Sequence, residues 1–196
     1  MSLDRVINKL GSRIIRPSQY EVYIHFDGIK ALGSNGNASG AIHWQKYVPD
    51  RGYLSMYAES VVIPGRQMMS RSNITHGAAR EIAYEAAFSG EISITFRYSY
   101  DDPGMAAGLR RLMDYWMDSI SDPVSGQVNY YNWYTTSMDI GLVDSSITGD
   151  IITPFAIRVN DVYPKSISDI ELGHSLGEDY LRNTVSFAYR DYEYIG

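Results

Sequence analysis

Residue types able to carry chemistry are few in this chain and poorly placed for it. The histidines are His25, His43, His76 and His174. No two stand at the HxxxH spacing that turns both imidazoles of one helix face toward a metal. His25 and His43 can meet across a hairpin, but two imidazoles without a carboxylate make a poor cation site, so surface or hydrogen-bonded histidines are expected. Cysteine is absent, which removes disulfides and thiolate metal sites. No GxSxG, GxxxxGK[ST] or GxGxxG run occurs, so nucleophile-elbow and phosphate-loop chemistry lack their backbone. Asp101-Asp102 reads as helix capping and Glu178-Asp179, beside Gly177, as a solvated turn. A glycosidase needs two carboxylates about 5–10 Å apart across a cleft, and no motif here supports one. No catalytic residue, metal ligand or cofactor is expected.

The whole-chain properties narrow the class further. At 196 residues the chain suits a single domain spanning 1–196, and a hydrophobic share of 44% supports a packed core. A formal net charge of −6 argues against a sequence-reading nucleic-acid binder, which needs a basic footprint. No continuous apolar h-region follows Met1, and nowhere do about 18 apolar residues run together, so neither a signal peptide nor a membrane span is expected. Tyrosine outnumbers phenylalanine 17 to 5. That bias suits half-exposed strand faces and protein contacts, and simple β propensity accounts for it equally well.

Elements that would position such residues read as mostly β. Ser2 can cap a short helix in which Leu3, Val6, Ile7 and Leu10 share a face and Gly11 ends it. So short a helix must dock on its own domain or a neighbour. After Arg16-Pro17, Tyr20, Val22, Ile24 and Phe26 alternate with polar residues as a half-buried strand. Residues 28–40 read as a polar Gly/Asn/Ser loop. Strand character returns near 42–47 and over 53–63, closing on a Pro64-Gly65 turn. Residues 77–88 are alanine-rich and ambiguous between helix and strand. Ile92, Ile94, Phe96 and Tyr98 alternate clearly. One long helix spans about 103–121, with Asp102 as cap, Pro103 in the first turn and a stripe of Leu109, Leu112, Trp116 and Ile120. An aromatic loop (Tyr130, Tyr131, Trp133, Tyr134) lies within a second elaboration at 121–136. Strands follow around 138–143 and 155–163, and a last one over 181–189 puts Val185, Phe187 and Tyr189 on one side. About seven or eight strands without strand–helix–strand alternation point to an antiparallel β-sandwich or barrel with helical decoration.

Several segments resemble one family along nearly the whole chain. The specific ones are Ala58-Glu59-Ser60-Val61-Val62-Ile63-Pro64-Gly65-Arg66 and the closing pattern of Tyr163-Pro164-Lys165-Ser166-Ile167 with Val185-Ser186-Phe187-Ala188-Tyr189-Arg190. Both are similar to the tail tube proteins of contractile-tailed bacteriophages and their baseplate relatives. The resemblance favours strand over helix for 77–88. It implies a structural, non-enzymatic subunit that closes into hexameric rings, joins inner strands into one barrel and stacks as an open filament. Its implied partners are copies of itself, tail sheath and baseplate proteins, and double-stranded DNA passing through the lumen without sequence-specific binding. No membrane is implied. Its implied place is the virion tail, assembled in the host cytoplasm. An acidic lumen would let DNA slide, although the charge serves solubility equally well.

The candidate assembly contacts are Leu3, Val6, Ile7 and Leu10 of the N-terminal helix, with Ser34, Asn35 and Asn37 of the polar loop. A baseplate tube initiator or tube-end cap of the same fold is the nearest alternative. From other classes, a ligand-binding β-sandwich using Tyr130 to Tyr134 as a stacking platform and an unrecognised hydrolase compete with it.

Overall fold

A computed structural model describes residues 19–32, 53–73, 77–98, 106–121, 124–145, 151–170 and 180–195. The strands are β1 (Tyr20–Ile24), β2 (Ala58–Val61), β3 (Arg66–Asn73), β4 (Arg80–Phe88), β5 (Glu91–Arg97), β6 (Thr136–Ser145), β7 (Ile151–Ile167), β8 (Arg182–Ala188) and β9 (Asp191–Tyr194). The α-helices are α1 (Tyr53–Tyr57), α2 (Ala106–Ile120) and α3 (Tyr131–Tyr134). All strand pairs are antiparallel. The main sheet runs β1-β6-β7-β8-β5-β2 with β9 also on β7, and β3-β4 forms a separate two-stranded sheet. The mainly-β, antiparallel class expected from the alternation is the class found.

β7 joins the two layers. Its earlier part pairs with β6 and β9, its last residues with β8. The change falls at Asp161, whose φ of 55° lies in the left-handed region, which an aspartate tolerates better than most residues. Arg190 clamps this corner, with its guanidinium 2.7 Å from Asp161 Oδ2 and its backbone N–H donating to the Asn160 carbonyl. Between the layers sit Val22, Ile24, Met138, Ile140, Ile157 and Val159 from one side, and Ile92, Ile94, Phe96, Val185 and Phe187 from the other, all buried. Each set occupies alternate positions, because successive strand residues face opposite ways.

Helix α2 lays Leu109, Leu112, Met113 and Trp116 into this core. The Trp116 ring meets Phe26 at 5.7 Å and Phe187 at 6.1 Å, bridging both layers. Its Nε1–H donates to the Tyr134 carbonyl at 2.7 Å, so the indole's one polar atom is satisfied. Gly28 lies under β6: a Cβ there would stand 2.9 Å from Thr136 Oγ1, a close approach that only glycine allows.

Four expectations need correction. Residues 53–57 are helix rather than strand, because α1 closes the outer edge of β1. Ser55 Oγ accepts from the Val22 N–H at 2.9 Å and donates to the Val22 carbonyl at 3.2 Å, while Tyr20 OH donates to the Ala58 carbonyl. The segment read as polar from residue 28 begins inside the core, since Ile29 and Leu32 are buried in short 3-10 turns. The aromatic stretch at 131–134 is a helical turn rather than a loop. Finally, β9 follows β8 after a sharp bend and had no separate sequence signal. Of residues 77–88, ambiguous by propensity, Arg80–Phe88 are extended as β4. The expected strand at 42–47 and the start of the long helix lie outside the described residues.

Candidate assembly surface

The feature that departs most from a self-contained domain is the β3-β4 hairpin. β2 pairs with β5, and β3 pairs with β4. Thus 58–73 and 80–97 form one long pair of strands, interrupted where Pro64-Gly65 faces Gly90, with the Val62 N–H still donating to the Ser93 carbonyl. Gly90 takes φ +75°, a bend that a side chain would oppose. Beyond this point the hairpin leaves the sandwich. Every residue of β3 is exposed, as are Arg80 to Glu85 of β4. Met68, Met69, Ile82 and Tyr84 are about half exposed or more, at 55, 45, 54 and 63%.

The register sorts the hairpin's side chains into two unlike faces. Residues directly opposite each other share a face. Arg66 pairs with Phe88 and Met68 with Ala86 on one side, and because β3 alternates without an extra residue, Ser70, paired with Ala83, and Ser72, paired with Glu81, follow on that side. Gln67 pairs with Ala87, Met69 with Glu85, Arg71 with Ile82 and Asn73 with Arg80 on the other side. The register shift between Met69 and Ser70 leaves Tyr84 as the extra residue on β4, with its hydroxyl 4.0 Å from Met69 Sδ. One face then holds Met69, Ile82 and Glu85 with Arg71 and Arg80. The other holds Arg66, Met68, Phe88 and Glu81 among small and hydroxyl residues. Ser70 Oγ donates to Glu81 Oε2 at 3.4 Å on that side.

The root of the hairpin shows which way each face looks. Phe88 packs on the core and meets Tyr192 of β9 at 5.4 Å, with the Arg66 guanidinium over its ring. The face carrying Arg66, Met68 and Phe88 therefore continues the inward side of the second layer, past the point where the first layer covers it. The face carrying Gln67, Met69 and Arg71 continues the outer side. There Ser93 and Ser186 hydroxyls stand 3.1 Å apart, Thr95 and Thr184 hydroxyls 2.9 Å apart, and Lys165 pairs with Glu91.

The best-formed polar cluster lies on the other layer. Asp139 accepts from Arg158 Nε–H at 2.8 Å and Nη2–H at 2.9 Å, and from His25 Nε2 at 2.8 Å. Burial pushes the Asp139 carboxyl up, but hydrogen bonds from Arg158 and His25 together with their charge bring it below its ordinary value. His25 thus finds its carboxylate partner 114 residues away in sequence, and an arginine already pairs with that carboxylate. Tyr131 and Tyr134 stack edge-on with Tyr163, and burial raises both phenols above their usual range. Tyr130 and Trp133 point outward, at 75 and 46% exposure.

The sequence-derived contact candidates Leu3, Val6, Ile7, Leu10, Ser34, Asn35 and Asn37 lie outside the described residues, as do His43, His76 and His174. Among the described residues no three His, Cys, Asp or Glu side chains converge on a possible metal position. No described helix is long and apolar enough to cross a membrane. Sequence reading did not single out the hairpin, although the apolar Met68-Met69 and Ile82 and Tyr84 among charged and polar neighbours were available as a signal.

Fold and surface define a class: a mainly-β domain whose distinctive surface is an exposed two-stranded hairpin. A family model described as phage tail tube protein matches residues 15–195. The chain belongs to the phage tail tube protein family. In fold it is similar to a chain in the sheath/tube terminator of the PVC extracellular contractile injection system, extended state, with TM-score 0.58, 13% identity, and 94% of this chain and 98% of that one covered. It is also similar to a chain of the same system's sheath-tube complex, with TM-score 0.54, 12% identity and coverage of 100 and 99%. A chain of the anti-feeding prophage baseplate gives TM-score 0.51 at 13% identity, with coverage of 71 and 80%. A comparison with curated protein sequences finds no match.

Proposed function

We propose that this chain is a structural, non-catalytic subunit of a tail tube. Its copies close into hexameric rings, and the rings stack head to tail around a lumen that conducts double-stranded DNA during genome ejection. The observation that carries this reading is the uncovered hairpin. A two-stranded sheet with both faces in water is marginal by itself, and half-exposed Met68, Ile82 and Tyr84 on such an element call for burial elsewhere. A neighbouring copy supplies that burial. A contact between unlike surfaces of identical chains is heterologous, so it closes into a ring in one direction and propagates as a filament in another. Closing the sheets around a ring also removes strand edges that would otherwise pair indiscriminately.

The tail sheath and baseplate are the other partners in this reading, and the virion tail, assembled in the host cytoplasm, is its location. Neither a cofactor nor a membrane enters it. Electron microscopy of the purified chain tests it directly. Long hollow rods with six-fold end views are expected. Isolated six-fold rings that never elongate would instead assign a tube initiator or tube-end cap of the same fold. Persistent monomers at high concentration would overturn the reading.

A further inference from the structure

We infer that the β3-β4 hairpin is a hinged arm: it swings as one body about a pivot made of Gly65 on one strand and Ser89-Gly90 on the other, and Tyr189 latches it in the pose described. The motion belongs to the dispersed chain, so it goes beyond the tube reading and does not depend on it.

Both strands break at the same level. β2 ends at Val61 and β3 begins at Arg66, while β4 ends at Phe88 and β5 begins at Glu91. Pro64 lacks the N–H that a ladder needs, which stops the pairing on the first strand. Gly90, at φ +75°, turns the second strand out of extended geometry. Among the described residues, no backbone hydrogen bond links 63–65 to 89–90. Space is open there as well, because a Cβ on Gly65 or Gly90 would meet nothing within 4 Å. Pro64 is buried and anchors the body side, and Gly65 just beyond it is exposed. Glycine's wide φ/ψ range thus falls where neither a ladder nor a neighbour holds the chain.

Outward of the pivot the two strands hold each other. Eight residue pairs run from Arg66–Phe88 to Asn73–Arg80, with Tyr84 as the bulged residue, and neither strand pairs with a third. The Ser70–Glu81 and Tyr84–Met69 side-chain contacts stay within the arm. Contacts with the body gather at the root. Phe88 meets Tyr192 edge-on at 5.4 Å. Tyr189, buried just beyond β8, forms the latch: its hydroxyl stands 2.8 Å from Ser89 Oγ, and its N–H donates to the Gly90 carbonyl. Swinging the arm opens that hydroxyl pair and slides the Phe88 ring along Tyr192, while the ladders on both sides of the pivot stay made. A few residues absorbing the φ/ψ change is how hinges work. At about 3.3 Å per residue the tip lies about 25 Å from the pivot, so a turn of about 20° carries it about 9 Å.

The absence of cysteine lets paired spin labels be placed without background. Distances are read by double electron–electron resonance at concentrations where sedimentation shows monomers, with every label on an exposed residue. Ser72→Cys with Asp118→Cys spans tip to body, Glu21→Cys with Asp118→Cys spans the body alone, and Gln67→Cys with Ser72→Cys lies within the arm. The tip-to-body distribution should be about twofold or more wider than the body pair, with the arm pair as narrow as the body pair. Tyr189→Phe removes only the latching hydroxyl and should widen the tip-to-body distribution further; Ser89→Ala opens the same pair if that variant does not fold. Gly65→Val should narrow it, because a β-branched residue restricts the pivot. A tip-to-body distribution as narrow as the body pair would overturn the hinge. A wide arm pair would show a fraying hairpin instead of a swinging one and would overturn it too. Equal widths in the parent, the latch variant and Gly65→Val would overturn the pivot assignment. None of these outcomes depends on rods, so failure here leaves the tube reading standing.

Discussion

Replacing Trp116 tests whether the two layers are held as described. Its ring is fully buried between Phe26 and Phe187, and its Nε1–H satisfies the Tyr134 carbonyl at 2.7 Å. Trp116→Ala removes the bridge between layers and should cost about 3–5 kcal/mol, as buried aromatic truncations do. The stranded Tyr134 carbonyl places the loss toward the upper end of that range. Trp116→Phe separates the two contributions. It keeps most of the ring packing but leaves the same carbonyl without a donor, for about 1–3 kcal/mol. In a domain of this size each kcal/mol moves the midpoint by about 2–4 °C. The alanine variant should therefore melt about 10–20 °C below the parent, and the phenylalanine variant clearly between them. Far-UV circular dichroism is the assay, at concentrations where sedimentation shows monomers, because assembly would shift the midpoint by mass action. An alanine variant melting with the parent would refute the bridging role, and two equal losses would refute the separation of packing from hydrogen bonding.

Further predictions follow from other contacts. Asp139 is held below its ordinary carboxyl value in the folded chain, so its ion pairs contribute stability above the unfolded pKa of about 4 and lose it as pH falls through the lower folded value. Asp139→Asn should therefore be less stable than the parent at neutral pH, with the gap narrowing in acid-titrated urea melts; a constant gap would count against the assignment. Ser55→Ala frees both the N–H and the carbonyl of Val22 at the outer edge of β1 and should cost about 1–3 kcal/mol, with more self-association by sedimentation. Deleting residues 2–11, or replacing 33–40 with an Asn-Gly turn, should leave a folded domain that no longer forms long rods. The replacement starts at 33 because Ile29 and Leu32 belong to the core.

What the sequence disclosed follows from how local each signal is. β1, β5 and β8 were legible because Val22/Ile24, Ile92/Ile94/Phe96 and Val185/Phe187 alternate with polar partners, and α2 because its stripe repeats at helical spacing. Residues 53–57 misled because their aromatic and apolar residues favour strand by type, whereas Leu54 and Ser55 are placed by contacts with a strand more than thirty residues earlier. Alanines in 80–88 favour helix by propensity, and pairing with β3 overrides it. The His25–Asp139–Arg158 cluster spans 114 residues between its first two members, so no spacing rule could expose it. The hairpin's role rests on exposure, which residue types alone do not encode.

Excising the hairpin tests the central claim most directly. The Val62 N–H reaches the Ser93 carbonyl, so the strands at its root are adjacent and a two-residue Asn-Gly turn can join Gly65 to Ser89 in place of residues 66–88. Dispersed parent and excised chains are compared by circular dichroism for fold, then by electron microscopy under conditions where the parent forms rods. The account predicts an excised chain with a retained sandwich and no rods at any concentration that assembles the parent. Normal rods from the folded, excised chain would contradict it.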